Sequence, residues 1–317
     1  MTRFARLPFA ALALTALALT AASSQAQGGP AYTIAETGRQ FARLQDAVDA
    51  VGGGSGTIRI GNGRHQECAV QTMGQIAYVA ETPGQAIFDG VTCESKAALV
   101  LRGTSASVAG LVFTNMRVPD FNGAGIRLEH GNLSVSQSWF RDSQQGILTG
   151  ADPDGSITVD KSTFSRLGTC EGSGGCAHSV YVGDYGAASV TRSRFEAGRG
   201  GHYLKSRAAK IAVSGCSFDD SAGRQTNYMI DLPGGATGRI AGNWFVQGPS
   251  KENHSAFIAL AAEGKANTSA GLVIEANDAR FAPNVPWPSV FVADWSGDPI
   301  QIGANKLDPR LTVKERR

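Results

Sequence analysis

Apolar residues alternate along this chain in a unit that recurs. The unit reads apolar, spacer, apolar, two spacers, a Ser, Asn or Cys, one spacer, then Phe or another apolar residue. Clear copies are Leu133-Val135-Ser138-Phe140, Ile157-Val159-Ser162-Phe164, Ala188-Val190-Ser193-Phe195 and Ile211-Val213-Cys216-Phe218. A fifth reads Ile240-Gly242-Asn243-Phe245, where Gly242 replaces a spacer and Ala241 falls between. Weaker copies follow at Leu272-Ile274-Asn277-Ala279 and Ile300-Ile302-Asn305-Leu307, and an earlier one has Ala106, Val108, Leu111 and Phe113. Alternation is the period of a strand. Successive last anchors are 27, 24, 31, 23, 27, 34 and 28 residues apart. That is too long for a plain hairpin, and no helical stretch lies between copies. A self-similar unit of this length predicts a solenoid: a parallel β-helix in which each turn buries its inward residues against its neighbours.

The polar position supports this reading. Asn243, Asn277 and Asn305 hold one place in consecutive copies, where stacked Asn side chains can bond up and down a coil; Ser138, Ser162 and Ser193 precede them. Before the repeats, Phe41, Leu44, Ala47, Val48 and Val51 follow helical spacing that Gly52-Gly53-Gly54 ends. A helix there would cap the open first turn, as solenoids require. Thr57 to Ile60 and the turn Gly61-Asn62-Gly63 begin the coil, and polar Lys306 to Arg317 is expected to fray. The fold class is thus all-β, a right-handed parallel β-helix with a short N-terminal capping helix.

Residues 1–26 read as a secretion signal, with Arg3 and Arg6 before the apolar run Leu7 to Ala22 and the small residues Ser24-Gln25-Ala26 at a cleavage site. Residues 27–317 then form a single β-helix domain, periplasmic or secreted, with no further segment apolar enough to span a bilayer. The full chain has 29 Lys and Arg against 27 Asp and Glu. Arg3 and Arg6 leave with the signal, which holds no acid, so the mature chain balances at 27 of each. That balance argues against nucleic acid as a partner; an anionic ligand needs a local group of Arg and Lys. The 40 Gly suit a coil of many bends. Five Cys fit an oxidising compartment. Cys170 and Cys176 bracket a Gly-rich loop that they would staple, Cys68 and Cys93 stand about one coil turn apart, and Cys216 in the inward polar position reads as a buried free thiol.

Each unit holds a second strand. Its inward residues are Ile126 and Leu128, Ile147, Val180 and Val182, Leu204, Ile230 and Leu232, then Ile258 and Leu260. Alternation sends the residues between them outward: Arg127 and Glu129, Leu148, Ser179 and Tyr181, then Tyr203, Lys205 and Arg207, then Met229 and Asp231. This register puts Tyr181, Lys205 and Asp231 in one column on three successive turns about 4.8 Å apart. His178 and His202 stack on each other at the start of the strand. A lone outward Lys or Arg is usually a solvated face. Here two His, two Tyr, a Lys and an Arg fall on adjacent turns, so Tyr181, Lys205, Arg207, His178 and His202 are the candidate catalytic group. Arg127, Glu129, Tyr203 and Asp231 are candidates for holding substrate. Trp139 and Trp244 point outward on another face. Asp231 would balance Lys205, or bind a cation with Glu129 or Asp219, although no run of oxygen ligands has metal-site spacing and no Cys/His set suits zinc.

The opening Phe41 to Val48 with the Gly-rich turn and Thr57-Ile58-Arg59-Ile60, followed by the repeats over about residues 55–307, resembles the pectate-lyase-like superfamily of right-handed parallel β-helices. The tyrosine strand His178-Ser179-Val180-Tyr181, followed one turn later by Gly201-His202-Tyr203-Leu204-Lys205-Ser206-Arg207-Ala208, is similar to β-helical polysaccharide lyases acting on uronic-acid polymers. The nearest type is family 31, alginate and glucuronan lyases that use Tyr and Lys; the related family-6 type uses Lys and Arg beside a calcium ion. The resemblance carries over to Tyr181, Lys205 and Arg207. It implies an anionic polysaccharide as substrate, a monomer working off the membrane, and no required cofactor, with calcium as the open alternative.

The residue types fit β-elimination. The uronate carboxylate must be neutralised, the C5 proton removed and the leaving O4 protonated. Arg207 offers planar donors for the carboxylate. Lys205 is the candidate base, since burial beside a cation favours the neutral amine. Tyr181 would protonate the leaving oxygen or share the base role, and His178 or His202 would hold these groups in place or replace one. A C5-epimerase removes the same proton. A polygalacturonase-type hydrolase needs clustered Asp, for which Asp219, Asp220 and Asp231 are too few. A non-catalytic carbohydrate-binding or envelope scaffold is the remaining alternative.

Overall fold

The computed structural model describes residues 1–2, 31–172 and 174–317; the body of the expected secretion signal lies outside them. The chain winds as a right-handed parallel β-helix of about nine turns. Each turn contributes one strand to each of three sheets, here A, B and C in chain order, with 12, 10 and 10 strands among the described residues. Every rung of B and C pairs in parallel with the next. Sheet A does so as well, apart from the antiparallel strand Tyr32–Ile34 and its neighbour Gln40–Phe41 at one end.

The repeat maps onto sheets A and B. Val108, Val135, Val159, Val190, Val213, Ile240, Ile274 and Ile302 form one in-register column of sheet A. The last anchors form a column of sheet B, where Phe113, Phe140, Phe164, Phe195, Phe218 and Phe245 stack with ring centroids 4.8–5.0 Å apart. Phe88, which the repeat did not flag, extends the stack at 5.5 Å. Each of these rings is essentially fully buried. Burial is worth about 1.5–3 kcal/mol per ring, and stacking adds about 0.5–1.5 per pair, so this column is the fold's main apolar spine.

The polar position does what its spacing predicts. Asn243 accepts the Cys216 N–H at 2.9 Å. Asn277 accepts from both the backbone and the side chain of Asn243 at 3.0 Å, and Asn305 repeats the pattern toward Asn277. Ser162 and Ser193 accept the N–H of Ser138 and Ser162 in the same way. The ladder satisfies backbone donors at a corner where no strand partner is available.

The fifth copy lacks only its first apolar anchor. Ile240 pairs with Val213, and the first-anchor place opposite Ile211 belongs to Gly238. Gly238 sits at φ +121, and a Cβ there would lie 2.0 Å from the Ile211 carbonyl oxygen, so no apolar side chain fits and the pattern was hidden. Two further expectations shift at the ends. The capping helix α1 spans Leu44–Val51, burying Leu44, Ala47 and Val48 over the first turn, while Phe41 belongs to a strand instead. At the far end Leu311–Arg316 does not fray: it pairs along Ser289–Asp294 as the last strand of sheet C. Its Lys314, Glu315 and Arg316 give that edge the charges that discourage further pairing. Cys68–Cys93 and Cys170–Cys176 are disulfides, and Cys216 is free and buried, its thiol pushed up to about 11 by that burial. Two disulfides suit an oxidising compartment.

Candidate active site

The second strand of each unit forms sheet C, and its outward column is the one that alternation predicts. Arg127, Leu148, Tyr181, Lys205, Asp231 and Ala259 pair rung by rung. Tyr181 and Lys205 line a cleft of about 510 Å³ together with His178. Its walls come from Asp120 to Asn122 and from the loop stapled by Cys170–Cys176. The staple therefore shapes the candidate site rather than the coil.

Tyr181, Lys205 and Arg207 converge. Arg207 Nε donates to Tyr181 Oη at 2.9 Å, which leaves the phenol proton free to be donated elsewhere. The Lys205 ammonium and the Arg207 guanidinium lie 5.6 and 6.0 Å from the Tyr181 ring centre. Lys205 Nζ is 3.5 Å from Asp231 Oδ2. A further residue completes the group: Glu263, on the bend after the strand Ala256–Leu260, accepts from Lys205 Nζ at 2.6 Å and from Arg207 through its other oxygen. Burial pushes the Glu263 carboxyl up, but the hydrogen bonds from Lys205 and Arg207 outweigh it and hold the group below the usual range. Burial likewise opposes the charge of Arg207, and Tyr181 and Glu263 more than offset it.

The histidines stand behind this front. His178 and His202 lie with ring centroids 4.8 Å apart, tilted by 33°, and His178 meets the Tyr181 ring edge-on at 5.4 Å. His178 Nδ1 accepts the His202 N–H at 3.0 Å, and His202 Nδ1 accepts the Tyr228 N–H at 3.1 Å. Each ring thus carries its proton on Nε2, and that of His202 faces Asp231 Oδ2 at 3.3 Å. Burial, then the charge of Lys205, lowers His178 to about 3; burial, reinforced by His178 and Lys205, holds His202 well below its usual value. Both rings are therefore neutral at neutral pH. Gly201 makes the approach of the two rings feasible: it sits at φ +61, and a Cβ there would lie 2.5 Å from His178 Nδ1.

Asp231 is 2% exposed, and its Oδ1 has no partner. Burial raises its pKa to about 6 against the pull of Lys205. It supports Lys205 and His202 from behind and does not open onto the cleft, where a substrate-holding residue was expected.

Three other expectations change. Tyr203 was expected to point outward but is 1% exposed. The strand begins only at Leu204, so alternation does not extend to Tyr203, and its ring turns inward. Its hydroxyl donates to Asp220 at 2.8 Å. Asp220 also accepts from Thr226 and pairs with Lys251 at 3.2 Å, both charged side chains being fully buried. Glu129 belongs to an ion cluster with Lys96, Arg102 and Arg127. Arg127 itself stands two rungs below Tyr181, beyond Leu148, about 10 Å away. Asp231, Glu129 and Asp219 do not meet, and among the described residues no three His, Cys, Asp or Glu gather as metal ligands. Trp139 and Trp244 are indeed outward, each 39% exposed on sheet B, away from this column.

The residue missed from the sequence is Glu263. It follows Ala259 by four positions, in a bend where the strand period no longer applies. The available signal was an isolated acid just after the strand two turns beyond Lys205.

The coil and its column define the class: a right-handed parallel β-helix with a polar cleft on one sheet. By sequence the chain matches no family model and no curated protein. Among solved structures it is similar to a PL6-family alginate lyase, AlyGC, at 14% identity and a TM-score of 0.53, covering 83% of this chain and 38% of that one. It is also similar to ORF18 of Geobacillus virus E2, at 12% identity and a TM-score of 0.44, covering 86% of this chain and 57% of that one. The chain thus spans well under half the length of the lyase. At 14% identity the likeness to the lyase is one of fold alone and does not reach the family-31 type.

Proposed function

We propose that this protein is a polysaccharide lyase that cleaves a uronic-acid polymer, alginate, glucuronan or a similar chain, by β-elimination. The observation that carries the reading is that Tyr181 and Lys205 line one cleft and Arg207 bonds to Tyr181 beside them. AlyGC, similar in fold, is an alginate lyase, which supports a polysaccharide as the substrate class. Arg207 receives the uronate carboxylate and the charge that develops on it. Lys205 removes the C5 proton. Tyr181, whose oxygen already accepts from Arg207, gives its own proton to the leaving O4. His202 and Asp231 hold Lys205 from behind, and His178 steadies the Tyr181 ring. No step needs a metal, since Arg207 supplies the positive charge.

Tyr181 and Lys205 project from adjacent rungs on one face of one sheet. They meet one face of the sugar, which suits elimination. An epimerase must deliver its proton from the face opposite the one it was taken from. The protein works as a monomer in the periplasm or outside the cell, with disulfides that suit either place. A panel of alginate, glucuronan, pectate and glycosaminoglycans, read by the ultraviolet absorbance of the unsaturated product, tests the reading. Absorbance should rise on at least one uronan. Sugar inversion without chain cleavage, or binding without product, would overturn it.

A further inference from the structure

Glu263 places a carboxylate where the proposed chemistry needs the substrate's own. One oxygen meets Lys205 and the other meets Arg207. Lys205 stands on the strand Leu204–Ser206 and Arg207 directly follows it, so the two cations form a fork that a single carboxylate bridges. We infer that Glu263 is a resident stand-in for a sugar carboxylate, and that ligands of this cleft are uronates that exchange with it. The inference rests on the lyase reading for its chemistry and adds which group must leave before substrate can bind.

The loop is built so that exchange needs a side-chain rotation and no opening. Its backbone is tied down: Ala261 N–H donates to Leu232 at 2.8 Å, Glu263 N–H to Pro233 at 3.0 Å and Asn267 N–H to Gly234 at 2.7 Å. Asn267 Nδ2 reaches the Arg207 carbonyl at 3.1 Å. The Glu263 side chain, by contrast, is 45% exposed, and the two cations account for its hydrogen bonds. The pair with Arg207 is part-exposed on both sides, and such pairs are weak, so an incoming carboxylate competes for that arm on even terms. It takes the Arg207 arm of the fork, and Lys205, relieved of its nearest acid, is left facing the C5 proton. A neutral sugar has nothing to exchange and leaves Glu263 in place. The fork therefore selects for charge before any ring contact is made.

The test is direct binding of D-glucuronate, a monosaccharide with no O4 linkage to break, to the wild type, Glu263→Ala and Glu263→Gln, by calorimetry, with glucose as the uncharged control. Thermal unfolding verifies that each variant is folded. Removing the competitor should tighten glucuronate binding about three- to tenfold in Glu263→Ala, the scale of two part-exposed ion pairs. Glu263→Gln, which keeps the shape and loses the charge, should tighten in the same direction, and glucose should respond to neither change. Unchanged or weaker binding in both folded variants, or no glucuronate binding by any of the three, would overturn the inference. Tighter binding without cleavage of any polymer would leave the inference standing and remove the lyase reading. Cleavage with unchanged glucuronate affinity would do the reverse.

Discussion

Replacing Asp231 with Asn removes a charge that the fold holds against its burial. The carboxyl is raised from 3.8 to about 6, chiefly by desolvation, with Lys205 pulling the other way. A raised acid binds its proton more tightly in the folded chain than in the unfolded one. Its contribution to stability is therefore fully present below about pH 4 and is lost as pH rises through about 6. A displacement of about two units corresponds to roughly 2–3 kcal/mol. Urea unfolding of the wild type and Asp231→Asn at about pH 4 and pH 8 isolates this term, because ionisations common to both proteins cancel. The stability of the wild type relative to the variant should fall by roughly 2–3 kcal/mol between the two. Activity should move the other way: the amide cannot hold Lys205 and His202 as a charge does, so turnover at neutral pH should fall at least tenfold in the more stable variant, a trade between stability and function. A pH-independent difference, or one of opposite sign, would refute the buried-charge account of Asp231.

Phe164→Ala opens a gap in the middle of the ring stack, between neighbours at 4.9 and 4.8 Å, and should destabilise the coil by about 3–5 kcal/mol in urea unfolding; a cost under 1 kcal/mol would mean that the column is not the spine. Gly238→Ala forces a Cβ against the Ile211 carbonyl at positive φ and should cost about 2 kcal/mol or more; a near-neutral effect would contradict that close approach. Uronan cleavage should persist in excess chelator because Arg207 neutralises the carboxylate; loss of activity that calcium restores would contradict that role.

Much of this molecule was legible because a solenoid turns sequence distance into spatial distance. The anchors at 140, 164, 195 and 218 located sheet B, and the alternation Val180-Tyr181-Val182 placed Tyr181, Lys205 and Asp231 on three rungs. Alternation failed as a guide wherever the chain left a strand. Tyr203 precedes the first strand residue by one, so its side chain turns inward to Asp220. Glu263 sits on a bend, and its approach to Lys205 depends on how that bend folds back over Leu232 and Pro233, which no period encodes. Lys251 is buried against Asp220 through tertiary packing alone. Gly238 was invisible because what fits opposite Ile211 is the absence of a side chain.

The central claim is that Lys205, on the column it shares with Tyr181, takes the C5 proton. The direct measurement is the appearance of unsaturated product from the best uronan of the panel, wild type against Lys205→Ala, with circular dichroism and thermal unfolding confirming that the coil is intact. The account predicts product from the wild type and none above background from the folded variant. Undiminished product from a folded Lys205→Ala would contradict it.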